Sequence, residues 1–307
     1  MIRSKKLLAL VMAGLMTFGA ALPVSAAETE TEITEITESE TQEVQQPDIL
    51  EAAGSQTLSD VPEKDIDINA LMPNDTTMNN ILSNLPQAYS TDDELFAIQI
   101  QELYIVNKIR ASYGIDLLAL GGSLTDAAMV RADECHGYFS HTRPNGTDCS
   151  TITKEMGIPY MFFGENIARG QRSPEEVVTA WYNSPGHRAN MLYEGFDVIG
   201  LGYRSGSPTW VQLFTGDYEI QEFGVLGLDN YNVGQTLEEQ GLVLTIQYTN
   251  GFTGIVPVID EMVTGFDPNK EGPQTITIYC QGYDITVTIN VKDQIKAFVS
   301  RLFTQLL

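Results

Sequence analysis

The chain has 307 residues and a formal net charge of −24, from 41 acidic and 17 basic side chains, with three cysteines. Such a charge repels nucleic acid and anionic lipid. Three cysteines cannot all pair within one chain, so a disulfide-built scaffold is excluded as well.

The first 26 residues place Arg3, Lys5 and Lys6 before an apolar run and close with Val24-Ser25-Ala26, which reads as a secretory signal peptide. The expectation is a secreted or cell-surface protein. No later apolar stretch approaches the roughly 20 residues of a membrane span, so no transmembrane segment is expected. From 27 to 90 the chain is rich in Thr and Glu, as in "ETETEITEITESETQEVQQPD" from Glu28 to Asp48. That composition buries too little apolar surface to offset chain entropy, and predicts a disordered acidic stalk.

Residues 91–220 read as a first folded domain. A helix starts near Thr91, with Glu94 completing a capping box, and carries Leu95, Leu103, Val106 and Ile109 on one face as far as Gly114. A second starts at Ser123 as N-cap, with Leu124, Ala128, Ala132, Cys135 and Phe139 at helical spacing. "SPEE" opens a third, with Ser173 as cap and Pro174 in the first turn. "SPGHRANML" repeats the device, so Ser184 is expected to cap a short helix with His187 in its first turn. "IGLGYRSGSPTWVQLFTG" predicts a β-hairpin.

Residues 223–291 change to period-two alternation in "LVLTIQY", "TITIYC" and "ITVTINV", the pattern of an all-β sandwich with its own core. Residues 292–307 have the spacing of an amphipathic helix. The fold class is α+β. Cys135 and Cys149 are either free or joined in one internal bridge, whereas Cys280, in a strand, packs as a small apolar residue.

Of the three histidines, two stand in turn-rich contexts: His141 in "FSHTRPNG" and His187 in "SPGHRANML". Glu165 lies in "GENIA". Each is expected at the end of an element. Two imidazoles and a carboxylate suit a divalent cation such as zinc. The helix N-terminus should also keep His187 neutral, as an acceptor, base or ligand.

Six stretches in order, "VNKIRASYG", "RADE", "SHTRPNG", "GENIA", "VVTAWYNSPGHRANML" and "IGLGY…WVQLF", resemble a bacterial CAP (SCP) domain, of the superfamily that includes cysteine-rich secretory, antigen 5 and pathogenesis-related proteins. The resemblance implies a three-layer α-β-α sandwich with an open cavity. It places His141, Glu165 and His187 on the cavity's polar positions, which bind a divalent cation in some members. Many members carry a fourth, acidic residue where this chain has Ser184. The second domain resembles a bacterial Ig-like module, a spacer or adhesive unit. The reading that follows is a secreted, non-catalytic protein binding a small apolar ligand, a lipid or a protein partner. The alternative is a metal-assisted, peptidase-like hydrolase with Glu165 and His187 as its catalytic candidates.

Overall fold

The computed structural model describes residues 5–6, 63–86, 93–228 and 231–292. The leader expected over 1–26, the acidic run 28–48, the Thr91 cap and the terminal helix expected over 292–307 lie outside them, save for 5–6 and Lys292. Lys5–Lys6 (β1) forms a short parallel pair with Tyr283 and Asp284.

After a first helix, α1 (Asp75–Asn84), the long helix α2 (Asp93–Tyr113) buries Leu103, Val106 and Ile109, and the chain leaves it at Gly114, whose φ of 70° is left-handed. Strand β2 (Ala119–Gly121) runs directly into α3 (Gly122–Gly137), which buries Leu124, Ala128, Ala132 and Cys135. Its N-cap is Gly121, without a side-chain bond. Ser123, expected as the cap, lies within the first turn, because strand passes into helix with no intervening turn. After α4 (Thr151–Glu155) and β3 (Phe162–Arg169), helix α5 (Pro174–Asn183) opens as predicted: Ser173 Oγ accepts from the Glu176 amide at 3.2 Å. The Glu176 carboxylate takes the Arg172 amide at 2.7 Å, one residue short of the reciprocal bond of a capping box. Helix α6 (Pro185–Met191) follows at once, and β4 (Val198–Arg204) and β5 (Thr209–Gly216) form the predicted hairpin.

These elements make three layers. Helix α3 lies on β4 so closely that a Cβ on Gly200 or Gly202 would stand 2.2 Å from the Leu124 carbonyl oxygen or 2.1 Å from that of Ala128. Only glycine permits that approach. The alternate residues Ile199 and Leu201, fully buried, point to the opposite face. There α2 packs on β4, and α5 and α6 pack on β3.

Past the hairpin the chain is β-rich: β6 (Ile220–Leu226), β7 (Tyr231–Asn232), a short α7 (Leu237–Gln240), β8 (Val243–Tyr248), β9 (Thr253–Pro257), β10 (Val263–Thr264), β11 (Gly272–Cys280) and β12 (Tyr283–Lys292). The alternation predicted for the last strands is present, with Ile276, Ile278, Ile285, Val287 and Ile289 turned inward. Strands β10, β11 and β12, with β7, form a separate sheet. Strands β6, β8 and β9 do not. β9 pairs antiparallel with β2 through Leu120–Ile255 and Gly121–Gly254, giving one seven-stranded sheet in the order β3-β5-β4-β2-β9-β8-β6. The expectation of two separate cores is therefore corrected: the buried apolar side chains of the two regions form one cluster. Alternation along a strand encodes which face is covered and is silent about which backbone lies at its edge.

A second correction concerns 63–86, expected within the disordered stalk. These residues contain a 3₁₀ turn at Ile68–Leu71 and helix α1, capped by Asn74 Oδ1 accepting from the Thr77 amide at 2.9 Å. Met78 and Ile81 are buried. Asn80 Nδ2 donates to the Glu239 carbonyl at 2.6 Å and Asn84 Nδ2 to that of Gly241 at 2.8 Å, which fastens α1 to the β-rich half. The start of the same segment grips the other half. Tyr182 Oη donates to the Lys64 carbonyl at 2.8 Å, and Arg188 pairs with Glu63 at 3.0 Å.

Candidate functional site

His141 stands in the loop after α3, held by Arg143, whose guanidinium donates to Glu134 Oε1 at 2.7 Å and to Glu155 Oε1 at 2.7 Å. Glu165 is not at the end of an element, as expected, but inside β3, where it pairs with Leu213 of β5. Phe163 and Gly164 before it, a pair suited to a turn, are strand residues, because β5 supplies their ladder partners. His187 sits in the first turn of α6 as expected.

The Glu165 side chain is 1% exposed and its oxygens are fully engaged. Arg131, itself buried, donates from Nε to Oε2 at 2.7 Å and from Nη2 to Oε1 at 3.2 Å. His141 Nδ1 lies 2.8 Å from Oε1. Beside an Arg-paired carboxylate, that nitrogen carries the proton and donates, so Nε2 keeps the lone pair. His187 is arranged in parallel: its Nδ1 is 2.8 Å from Ser184 Oγ. Ser184 occupies the N-cap position but makes no cap bond; its hydroxyl serves the imidazole instead. The Nε2 atoms of both histidines are buried without a hydrogen-bond partner.

The neutrality expected for His187 has a different main cause. Burial, followed by the nearby charge of His141, lowers its pKa to about 4. The ring is thus a neutral donor of electron pairs through the whole physiological range.

Main-chain positions around the site are set by a buried amide relay. Asn166 Nδ2 donates to the His187 carbonyl at 3.1 Å and to Gln212 Oε1 at 2.9 Å. Asn190 Nδ2 donates to Asn166 Oδ1 at 2.9 Å and to the Glu165 carbonyl at 3.3 Å. Gln212 Nε2 then reaches Glu102 Oε1 at 3.0 Å. Burial pushes the Glu102 carboxyl up to about 8, against the weaker opposing effect of Gln212.

The structure therefore joins His141 to Glu165 directly, and brings His187 near enough for the two rings to interact electrostatically. It also adds a residue that the sequence reading left aside. Cys149 Sγ, a ring nitrogen of His141 and a carboxylate oxygen of Glu165 all lie within 4.8 Å of one another, whereas His187 is outside that trio. Cys149 is buried and donates to Glu165; burial, then the Glu165 charge, push its thiol up, which removes it as a nucleophile. The three cysteines are free, so the Cys135–Cys149 bridge is not formed; Cys280 packs as a small buried residue, as expected. The sequence did hold a signal for Cys149: "HTRPNGTDC" is symmetric about a Pro-Asn-Gly turn, which sets its two ends side by side.

Among the described residues, no helix is long and apolar enough to cross a membrane. Comparison with known proteins gives matches over both regions. Residues 103–218 match the cysteine-rich secretory protein family, CAP, and residues 229–292 the bacterial Ig-like domain, group 3. The chain is 36% identical over 129 residues to the uncharacterized protein YkwD of Bacillus subtilis (strain 168), covering 41% of this chain and 50% of that protein. It thus spans half the length of that relative. An extracellular protein containing a SCP domain from Bacillus anthracis str. Ames is similar at 26% identity and a TM-score of 0.38, over 42% of this chain and 44% of that one. An outer surface protein from Borrelia burgdorferi is similar at 22% identity and a TM-score of 0.36, over 41% of this chain and 95% of that one. The chain thus carries a CAP domain of the cysteine-rich secretory protein family over residues 103–218, followed by a bacterial Ig-like domain over residues 229–292.

Proposed function

We propose that this chain is a secreted, non-catalytic CAP-domain protein, whose site binds a small apolar ligand or a partner and can hold a divalent cation such as zinc. The observation that carries the proposal is the use of Glu165. A general base needs a lone pair turned toward water or substrate. The Glu165 carboxylate accepts from Arg131 twice, from His141 and from Cys149, and is buried. It orients its neighbours and has no capacity left for proton abstraction. Tyr138, Met156, Tyr160 and Met161, exposed on the segments that lead into and out of the His141 loop, offer apolar surface to a ligand. Secretion rests on the leader-like first 26 residues.

The hydrolase alternative draws on the two bare imidazole nitrogens. A buried nitrogen without a partner is costly unless something binds it, and neutral imidazole is a good zinc donor. His141 and His187 fit a divalent cation on that ground, with Glu165 and Ser184 as the outer groups that orient them. Zinc bound there would supply Lewis acidity.

Isothermal titration of the purified protein with zinc, paired with peptide- and ester-hydrolysis assays, tests both readings. The expected result is one zinc per chain, lost in His187→Ala, with hydrolysis no faster than in buffer. Zinc-dependent hydrolysis abolished by Glu165→Gln would overturn the non-catalytic reading.

A further inference from the structure

Thr142 and Asp148 form an antiparallel bridge around Pro144-Asn145-Gly146, and the Arg143 amide donates to the Thr147 carbonyl at 2.8 Å. In an antiparallel ladder the next pair outward from 142 and 148 is 141 and 149. The turn therefore brings His141 and Cys149 to the same end of the loop, where their ligand atoms lie within 4.8 Å. Cys149 is also held from the other side: its carbonyl accepts from the Ile152 amide at 3.3 Å, and Asp148 Oδ1 accepts from the Ser150 amide at 2.9 Å. A thiol fixed in this way faces an imidazole and a carboxylate within 4.8 Å, and the imidazole, His141, keeps a buried Nε2 without a hydrogen-bond partner.

We infer that Cys149 is a metal ligand, which together with His141 makes this a site for a thiophilic cation such as zinc, cobalt(II) or cadmium, and a poor one for magnesium or calcium. The inference rests on the metal-holding part of the function proposed above. In a tetrahedral zinc site, Zn–N bonds of about 2.0 Å and Zn–S bonds of about 2.3 Å put neighbouring ligand atoms roughly 3.5 Å apart. The observed atoms, spread over as much as 4.8 Å, draw toward that spacing when a metal is held. On binding, the S–H bond breaks, its proton passes to water, and the sulfur electron pair forms the metal–sulfur bond. Glu165 loses the thiol as a donor and keeps Arg131 and His141. Soft thiolate then selects the ion, where oxygen ligands alone would favour harder cations. Cys149 thus supplies the additional anionic ligand in a site that has a serine at position 184.

Cobalt(II) absorption of the full chain tests this, because a thiolate ligand adds an intense sulfur-to-metal charge-transfer band that imidazole and carboxylate do not give. The expected result is that band at one equivalent of cobalt in the wild type and in the Cys135→Ser/Cys280→Ser double variant, where Cys149 is the sole thiol. Cys149→Ser should lose the band and bind zinc more than about tenfold more weakly, tenfold being the lower range for loss of even an outer-shell partner. The double variant keeps the test decisive if Cys149→Ser fails to fold. Cobalt bound without the charge-transfer band, yet lost in His187→Ala, would overturn the role of Cys149 and leave a histidine-held metal intact. Failure of cobalt and zinc to bind at all would overturn both.

Discussion

Glu102 is a buried carboxyl in the site's scaffold whose charge state bears on stability. Its carboxyl is raised from 4.5 to about 8 by burial, so the folded protein binds a proton there that the unfolded chain releases above its ordinary range. The associated stability is complete below about pH 4.5 and is lost as pH rises toward 8. At pH 7 the lost contribution is on the order of 3 kcal/mol. Glu102→Gln keeps the acceptor for Gln212 and removes the titration. Urea unfolding should find the variant more stable than the wild type at pH 7 and indistinguishable near pH 4.5; equal stability at both values would show that this carboxyl is ionised in the folded state. Nothing in the sequence marks Glu102, because it lies in the midst of α2 and its isolation comes from strands far along the chain. His141 and His187 were legible because polar residues beside turns stand out in an apolar chain, whereas Glu165 was singled out beside a turn that proves to be strand. The partner of each imidazole was not, since Glu165 and Ser184 reach them through tertiary geometry and a helix cap diverted from its usual bond.

Among the elements, helix α3 and strand β4 are bound by backbone proximity, and the two glycines on β4 are its condition. Gly202→Ala would push a methyl group to within 2.1 Å of the Ala128 carbonyl oxygen, so helix and sheet must separate. A loss of at least about 1–3 kcal/mol is expected from the chemical-denaturation midpoint. Gly122→Ala is the matched control: a Cβ there meets nothing within 4 Å, and stability should hold or rise by about 0.4–1 kcal/mol. A tolerated Gly202→Ala would mean that α3 rides higher on the sheet than described. The helical faces of α2, α3 and α5 and the β4–β5 hairpin were readable from periodicity. Helix α1 was not, because Met78 and Ile81 are diluted by the polar residues around them and find their apolar contact only on the folded body.

For the whole molecule, the strand pair β2–β9 and the segment 63–86 tie the two family domains together, which predicts one cooperative body. Calorimetry should record a single unfolding transition, and limited proteolysis should spare 217–224, where β6 begins; two transitions, or a cut there, would argue for separable cores. Asn84→Ala removes the side-chain donor to Gln240 and Gly241, at a cost of about 1–3 kcal/mol for carbonyls left without it. The single transition should move to lower temperature without splitting.

The grip of Glu63 and Lys64 beside α6 has a mechanical meaning. Glu63 pairs with Arg188, the residue next to His187, and Lys64 is bonded to Tyr182, the penultimate residue of α5. A pull along the chain upstream of Glu63 is therefore delivered to the junction between α5 and α6 and, through Lys64 and its bonds to Ser112 and Tyr113, to the end of α2, not to the sheet. The ion pair, with Glu63 about half exposed, is the weakest link in that line and acts as a fuse. While it holds, tension reaches the turn that carries Ser184 and His187; once it breaks, the load passes to the bonds of Lys64 with Ser112, Tyr113 and Tyr182, and the turn beside His187 is relieved.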